Sequence, residues 1–376
     1  MLLGTISPAY EWRPYRVLLP AIMTDSTPWQ EAVRWAAGRT GVVLVIGEPD
    51  AGKSSFAFEA ALQAQADGRR VWLLDADLGQ GCLAPPGLVG VTAVDQPFGD
   101  ASELRPRALA FVGATQPLGH SVPLIRAAHR LAQHAARRDA DLILVDTCGL
   151  ALPRAGERLK LALAESLQPG GVVLLQRDGE LQRLGKLLRW LVGAPLLWVT
   201  TPLEVGRKSP AVRQAHRARM LAQRLRGARA LELDAGGVTM HGGWPFSGRA
   251  LSRGDLRQLG EWLRVETLHG EDTPDGRCLC VTALPKPADL AEARRRSSRR
   301  LLLTPAATLQ GLLVGLIADD GHLVEIALLR GINFARSLLS LWTPARSLDR
   351  VRVLHYGRLR ARTDGSEIAH LRPGDL

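Results

Sequence analysis

Residues Gly47–Ser54 read GEPDAGKS, directly after the apolar run Val42–Ile46 and directly before a helical pattern that begins near Phe56. Strand, glycine-rich loop and helix in that order are the setting a phosphate-binding loop requires. The candidate nucleotide-binding set is therefore Gly47, Glu48, Pro49, Asp50, Ala51, Gly52, Lys53, Ser54 and Ser55. Backbone N–H groups and the positive end of the following helix wrap a polyphosphate in such a loop. Lys53 then reaches the β- and γ-phosphates, and the Ser54 hydroxyl joins a Mg²⁺ shell. This chain is expected to bind a nucleoside triphosphate. The Asn-Lys-x-Asp element of many guanine readers has no place here, because Asn333 is the chain's only asparagine, so the expected nucleotide is ATP.

From Gly41 onward, short apolar runs alternate with amphipathic segments. Strands are expected at 42–46, 71–75, 108–112, 142–146, 172–176, 196–200 and 230–233, and helices at 53–66, 122–137, 157–167, 180–191 and 210–226. Near-continuous Val/Leu/Ile strands spaced by helices predict a parallel sheet covered on both faces. Ligands of such sheets sit at the carboxyl ends of the strands. The residues just beyond each run are DADLGQG (Asp75–Gly81), GATQPLGH (Gly113–His120), DTCG (Asp146–Gly149) and TTP (Thr200–Pro202). Asp77 and Asp146 are the carboxylates placed for chemistry. Asp146 has the setting of a Mg²⁺-shell ligand, Asp77 is a second metal candidate, and one of the two could accept a proton from an acceptor hydroxyl. Asp75 reads better as a structural strand-end acceptor.

The fold class expected is α/β, a P-loop NTPase-type parallel sheet with helices on both faces, plus a smaller β-rich C-terminal domain. Residues 1–40 form a short lead-in around Trp12 and the helical stretch Pro28–Ala37, residues 41–235 the P-loop domain, and residues 236–376 the β-rich domain. In that last part, a hairpin turn is expected at Asp319–Gly321, and a strand pair around Asp364-Gly365. No apolar run is long enough for a membrane span, and the N-terminus lacks a secretory pattern, which points to the cytoplasm. Cys82, Cys148, Cys278 and Cys280 are too few and too irregular for a disulfide framework, and Cys278-Leu-Cys280 lacks the second half of a zinc site.

Forty-eight Lys and Arg against 37 Asp and Glu give a net charge of +11, which suits a polyanionic partner. The excess concentrates in Val205–Arg229, which carries Arg207, Lys208, Arg213, His216, Arg217, Arg219, Arg224, Arg226 and Arg229, with Glu204 its only nearby acid. So one-signed a helix would repel itself on a plain surface. A basic lid over transferred phosphate accounts for it. The run Arg294–Arg300 reads instead as a solvated face.

GEPDAGKSS, LDADLGQG with APPG close behind, FVGATQPLGH and LVDTCG, in that order, resemble the polynucleotide 5′-hydroxyl kinases, relatives of the kinase subunits of pre-mRNA cleavage, tRNA splicing and ribosomal RNA processing complexes. The likeness spans about Gly41 to Arg229 and continues weakly into GLLVGLIADDGHLVEIAL and the final YGRLR. It implies ATP- and Mg²⁺-dependent phosphorylation of the free 5′-OH end of RNA or DNA. By position, Lys53 and Ser54 would hold ATP and the metal, and Asp77 would be the general base with Gln80 nearby. Thr115, Gln116 and Pro117 would grip the polynucleotide end. Arg213 and Arg217 would form an arginine lid, with Arg207 a looser member. Two alternatives stay open at this stage: a non-catalytic ATP-binding scaffold of an RNA-processing complex, and a P-loop kinase of a small molecule.

Overall fold

The computed structural model describes residues 28–202, 205–372 and Leu376. The segment around Trp12 lies outside these residues. The chain divides into two compact units between Met220 and Leu221.

In the first unit, helix α1 (Pro28–Ala37) precedes β1 (Gly41–Gly47), α2 (Lys53–Ala66), β2 (Val71–Ala76), β3 (Leu88–Val94), β4 (Ala108–Phe111), α3 (Ser121–Ala136), β5 (Leu142–Thr147), α4 (Arg154–Leu167), β6 (Gly171–Gln176), α5 (Gln182–Leu187) and β7 (Leu196–Thr200); α6 (Pro210–Arg224) begins in this unit, and its last four residues belong to the second. The seven strands lie in the order β4-β3-β2-β5-β1-β6-β7. Side chains of a strand alternate between faces, and both faces here are apolar. Leu44, Ile46, Ile143 and Val145 pack on one side with Leu124, Leu131, Leu159 and Leu163 of α3 and α4. Val43, Val45, Leu142 and Leu144 pack on the other with α1 and α2, through Trp29, Val33, Phe56 and Ala60. Each fully buried Leu or Ile of this kind contributes about 1.5–3 kcal/mol relative to an exposed one. Two-sided burial is what makes these runs continuous rather than alternating.

The sheet is not wholly parallel. β3 was not expected, and it runs antiparallel to both β2 and β4, inserted between them. The helix expected over 180–191 splits into α5 and a π-helical turn at Leu188–Val192. The strand expected at 230–233 forms as Arg229–Asp234, but its partner lies in the second unit.

That unit comprises β8 (Arg229–Asp234), β9 (Thr239–His241), β10 (Arg249–Ala250), α7 (Arg253–Leu263), β11 (Thr267–Thr273), β12 (Gly276–Val281), α8 (Pro287–Arg296), β13 (Leu301–Pro305), β14 (Leu312–Ala318), β15 (Leu323–Asn333), β16 (Leu338–Thr343), β17 (Val351–Ala361) and β18 (Glu367–His370). One sheet has the order β10-β11-β12-β13, the other β18-β17-β14-β15-β16-β8, with β9 on β17. The β14–β15 and β17–β18 pairs form antiparallel, as the turn residues predicted. Ser252 and Asp255 close a capping box at the start of α7, and Leu259 and Leu263 bury its inner face against Leu279 and Val281. Cys278 and Cys280 are buried on β12. Among the described residues no cluster of three or more His, Cys, Asp or Glu is arranged for a metal ion, and no helix is long and apolar enough to cross a membrane. Arg294, Arg295, Arg296, Arg299 and Arg300 are exposed, as a solvated run should be.

Candidate active site

The carboxyl ends of β1, β2 and β5 meet around one cavity of about 520 Å³. The phosphate-binding loop forms its floor. Gly52 precedes α2 with φ +85°, a left-handed conformation that glycine adopts at little cost. A Cβ on Gly47 would stand 2.9 Å from the Leu175 carbonyl oxygen, so a larger residue there would push the loop off the sheet. Ala51 is buried beneath, its carbonyl accepting from Thr201 Oγ1 at 3.2 Å. Thr201 thus supports the loop from below and does not line the cavity. Glu48, Pro49, Asp50, Gly52, Lys53, Ser54 and Ser55 do line it.

Lys53 Nζ donates to the Glu48 carbonyl at 2.8 Å. Burial lowers the Lys53 pKa, while the carboxylates of Asp146 and Asp77 oppose that fall. Ser54 Oγ donates to Asp146 Oδ2 at 2.5 Å, and Asp146 Oδ1 is buried with no hydrogen-bond partner among the described residues. A hydroxyl beside a carboxylate with one oxygen unsatisfied is a hard-oxygen donor set of the kind a divalent cation takes when phosphates and water complete its shell. Burial pushes Asp146 up to about 6, against the pull of Lys53 and Ser54.

β2 and β5 are adjacent, with Asp75 in register with Asp146. Asp75 accepts from the backbone N–H groups of Asp77, Cys82 and Leu83 at 3.1, 2.6 and 2.9 Å, the structural role its position suggested. Burial raises it to about 8, and nearby Asp146 adds to that. Asp77 lies past the strand end and lines the cavity. Its Oδ1 accepts from Gly79 and Gln80 N–H at 3.0 and 2.9 Å, so the side chain is aimed by the tight turn that follows it. Gln80, Thr115, Gln116 and Pro117 line the same cavity, with Leu118 exposed beside them.

The third wall comes from β5 and α6. A Cβ on Gly149 would lie 2.8 Å from Pro49 Cα, which is why the DTCG stretch ends in glycine. The fully buried Lys160 of α4 donates to the Cys148 carbonyl at 2.6 Å and fixes this strand end from behind. Lys208, Arg213 and Arg217 line the cavity; Arg207 is exposed and does not. Two contacts dock the start of α6 on the Asp77–Gly81 turn. Gln80 Nε2 donates to the Arg213 carbonyl at 3.3 Å, and His216 Nε2 lies 3.0 Å from the Gly81 carbonyl oxygen. Burial lowers the His216 pKa to about 4, so the neutral ring donates this bond from Nε2. Arg213 Nη2 meets Asp50 Oδ2 at 2.5 Å. The contributions of His216 and Lys160 had no sequence signal beyond their membership of basic helices.

Arg207 aside, all seventeen residues named for the site from sequence thus converge on this corner, although Gly47, Ala51 and Asp146 stand behind its lining rather than in it. Residues 47–225 match the family model described as "mRNA cleavage and polyadenylation factor CLP1 P-loop". The chain carries a CLP1-type P-loop domain. The chain is also similar to proteins named polyribonucleotide 5′-hydroxyl-kinase. Over 337 residues it is 29% identical to a polyribonucleotide 5′-hydroxyl-kinase of Thermococcus kodakarensis, covering 89% of this chain and 92% of that protein. A protein of the same name from Pyrococcus furiosus is 26% identical over 338 residues, covering 89% and 91%. The CLP1-type fold extends through the second unit as well. A solved structure of a Clp1p–Pcf11p complex superposes with a TM-score of 0.57 at 14% identity, over 88% of this chain and 76% of that one.

Proposed function

We propose that the protein transfers the γ-phosphate of ATP to the 5′-hydroxyl end of a polynucleotide, RNA or DNA. One observation carries this reading: Asp77 and the Thr115–Pro117 loop share a single cavity with Lys53 and Ser54, and Arg213 and Arg217 border it. A phosphate-binding floor, a carboxylate and a separate polar loop are the parts an in-line phosphoryl transfer needs. The names of the relatives point to the same substrate class.

Lys53 and the backbone of residues 47–55 hold the phosphate tail, with Gly52 allowing the close approach. Thr115, Gln116 and Pro117 orient the acceptor end, and Gln80 braces the turn that aims Asp77. Asp77 accepts the proton of the attacking 5′-hydroxyl through its Oδ2, which accepts no hydrogen bond among the described residues. Arg213 and Arg217 balance the negative charge on the phosphoryl oxygens in flight. Mg²⁺, held by Ser54 Oγ and Asp146, supplies charge neutralisation on the phosphates when bound. A reducing cytoplasm is the compartment proposed, which the four free thiols fit.

The test is transfer of labelled γ-phosphate from ATP to matched 5′-OH RNA and DNA oligonucleotides, single- and double-stranded, with Lys53→Ala as the inactive control. No transfer in single turnover with enzyme in excess would leave the scaffold reading. Acceptor binding that weakens only slightly with added salt would favour a metabolite, since several phosphate contacts make a steep dependence.

A further inference from the structure

Asp50 was expected in the nucleotide cradle with its neighbours. Its backbone belongs there, but its carboxylate is engaged by the start of the basic segment. The residue has φ +57°, a left-handed conformation that Asp and Asn tolerate better than most side chains. From it, Oδ2 accepts the Lys208 backbone N–H at 3.0 Å and an Arg213 Nη2–H at 2.5 Å. The Asp50 side chain is 10% exposed and that of Arg213 31%. The Asp50 carbonyl accepts from Arg177 Nη2 at 2.7 Å, and the same guanidinium reaches the Val205 carbonyl at 3.4 Å. One phosphate-loop residue therefore grips the start of the basic segment by side chain and, through Arg177, by backbone.

A carboxylate inside a loop built to hold phosphates works against its ligand unless a cation answers it. Here the answering cation is one of the two arginines that border the phosphate end. We propose that Asp50 is a positioning residue: it fixes Arg213, and with it the start of α6, over the phosphate loop before the acceptor arrives. Gln80, which holds the Arg213 carbonyl, sets the same turn of helix from the side of Asp77. The geometry of the latch stands without the proposed function, and its effect on catalysis rests on that reading.

Two variants test it. Asp50→Asn keeps the shape, the tolerance for this φ and an acceptor for Lys208 N–H, but loses the charge. Asp50→Gly removes the side chain without backbone strain. Without nucleotide, tryptic cleavage after the exposed Arg207 and Lys208, mapped by mass spectrometry, should quicken about tenfold in Asp50→Gly and by less in Asp50→Asn. In turnover, Asp50→Gly should lower kcat about tenfold with KM for ATP nearly held, and should add no further loss in an Arg213→Gln background. Unchanged cleavage in both variants overturns the proposal. So do losses that multiply in the double variant, or a KM for ATP that rises while kcat holds, which would return Asp50 to the nucleotide cradle. If the wild-type chain transfers no phosphate, the proposed function fails and the cleavage pattern still decides the latch.

Discussion

Ser54 Oγ and Asp146 Oδ2 stand 2.5 Å apart, joining the first turn of α2 to the end of β5 across 92 residues of sequence. The other oxygen of that carboxylate is buried and has no partner among the described residues. A polar atom left so costs stability, and sites retain such atoms where a ligand satisfies them. Asp146→Asn keeps an acceptor for Ser54 but removes the negative charge. Phosphotransfer should fall about a hundredfold or more, the scale of a metal's contribution, and recover in part at high Mg²⁺. The melting temperature of the free protein should hold or rise. Initial rates across a Mg²⁺ titration, with thermal denaturation beside them, check both halves.

Asp77→Asn separates chemistry from architecture. An asparagine Oδ1 still accepts from Gly79 and Gln80 N–H, so the turn keeps its form. What goes is the ability to take a proton. Single-turnover transfer should drop about a hundred- to ten-thousand-fold while nucleotide affinity stays put. Near-normal turnover would remove Asp77 from the role of base. A loss of nucleotide binding would show that its charge serves Lys53 instead.

The strands that carry this chemistry were legible because two-sided burial writes itself as unbroken Val/Leu runs, and the motif residues fall one or two places beyond each. β3 was not, for a local reason. Gly87 and Gly90 give its segment the look of a turn, yet a Cβ at Gly90 would press on Ala84 Cβ and Leu109 Cδ2 at 3.2 Å, so the glycine serves packing inside a strand. β8 read correctly as a strand but not as to its sheet, because the residues that settle its partner belong to β16. In the site, Lys53, Asp77 and Asp146 were readable from spacing. The Asp50–Arg213 pair was not: it joins residues 163 apart and depends on a backbone conformation that no local pattern announces.

His216 makes the docking of α6 sensitive to acid. Its ring faces the Gly81 carbonyl, with Arg219 and Lys208 disfavouring and Asp77 favouring a second proton, and burial outweighs them all. The folded pKa near 4 lies below the ordinary 6.5, so between these values the unfolded chain binds more protons than the folded one. Stability from this group is complete above about pH 6.5 and is lost as pH falls toward 4, by about 3 kcal/mol at most. Urea denaturation at stepped pH should show the slope in the wild type and a shallower one in His216→Gln. Equal slopes would mean that the buried ring takes its proton without undocking.

Arg224 and Glu325 form an ion pair inside the second unit, Nε to Oε1 2.8 Å, with the residues 4% and 8% exposed. The same carboxylate oxygen accepts the Ile326 N–H at 2.8 Å. Burial pushes the Glu325 pKa up, and Arg224 holds it down. Desolvating two charges consumes most of what their attraction returns, so the intact pair adds little net stability, whereas taking the countercharge from a buried guanidinium is costly. Glu325→Gln should therefore destabilise the protein by about 3–5 kcal/mol, and the double replacement Arg224→Met with Glu325→Leu by much less. Denaturant midpoints of the two proteins compared with wild type measure the difference. A single variant no weaker than the double one would mean that the guanidinium finds water or another acceptor when its partner is gone.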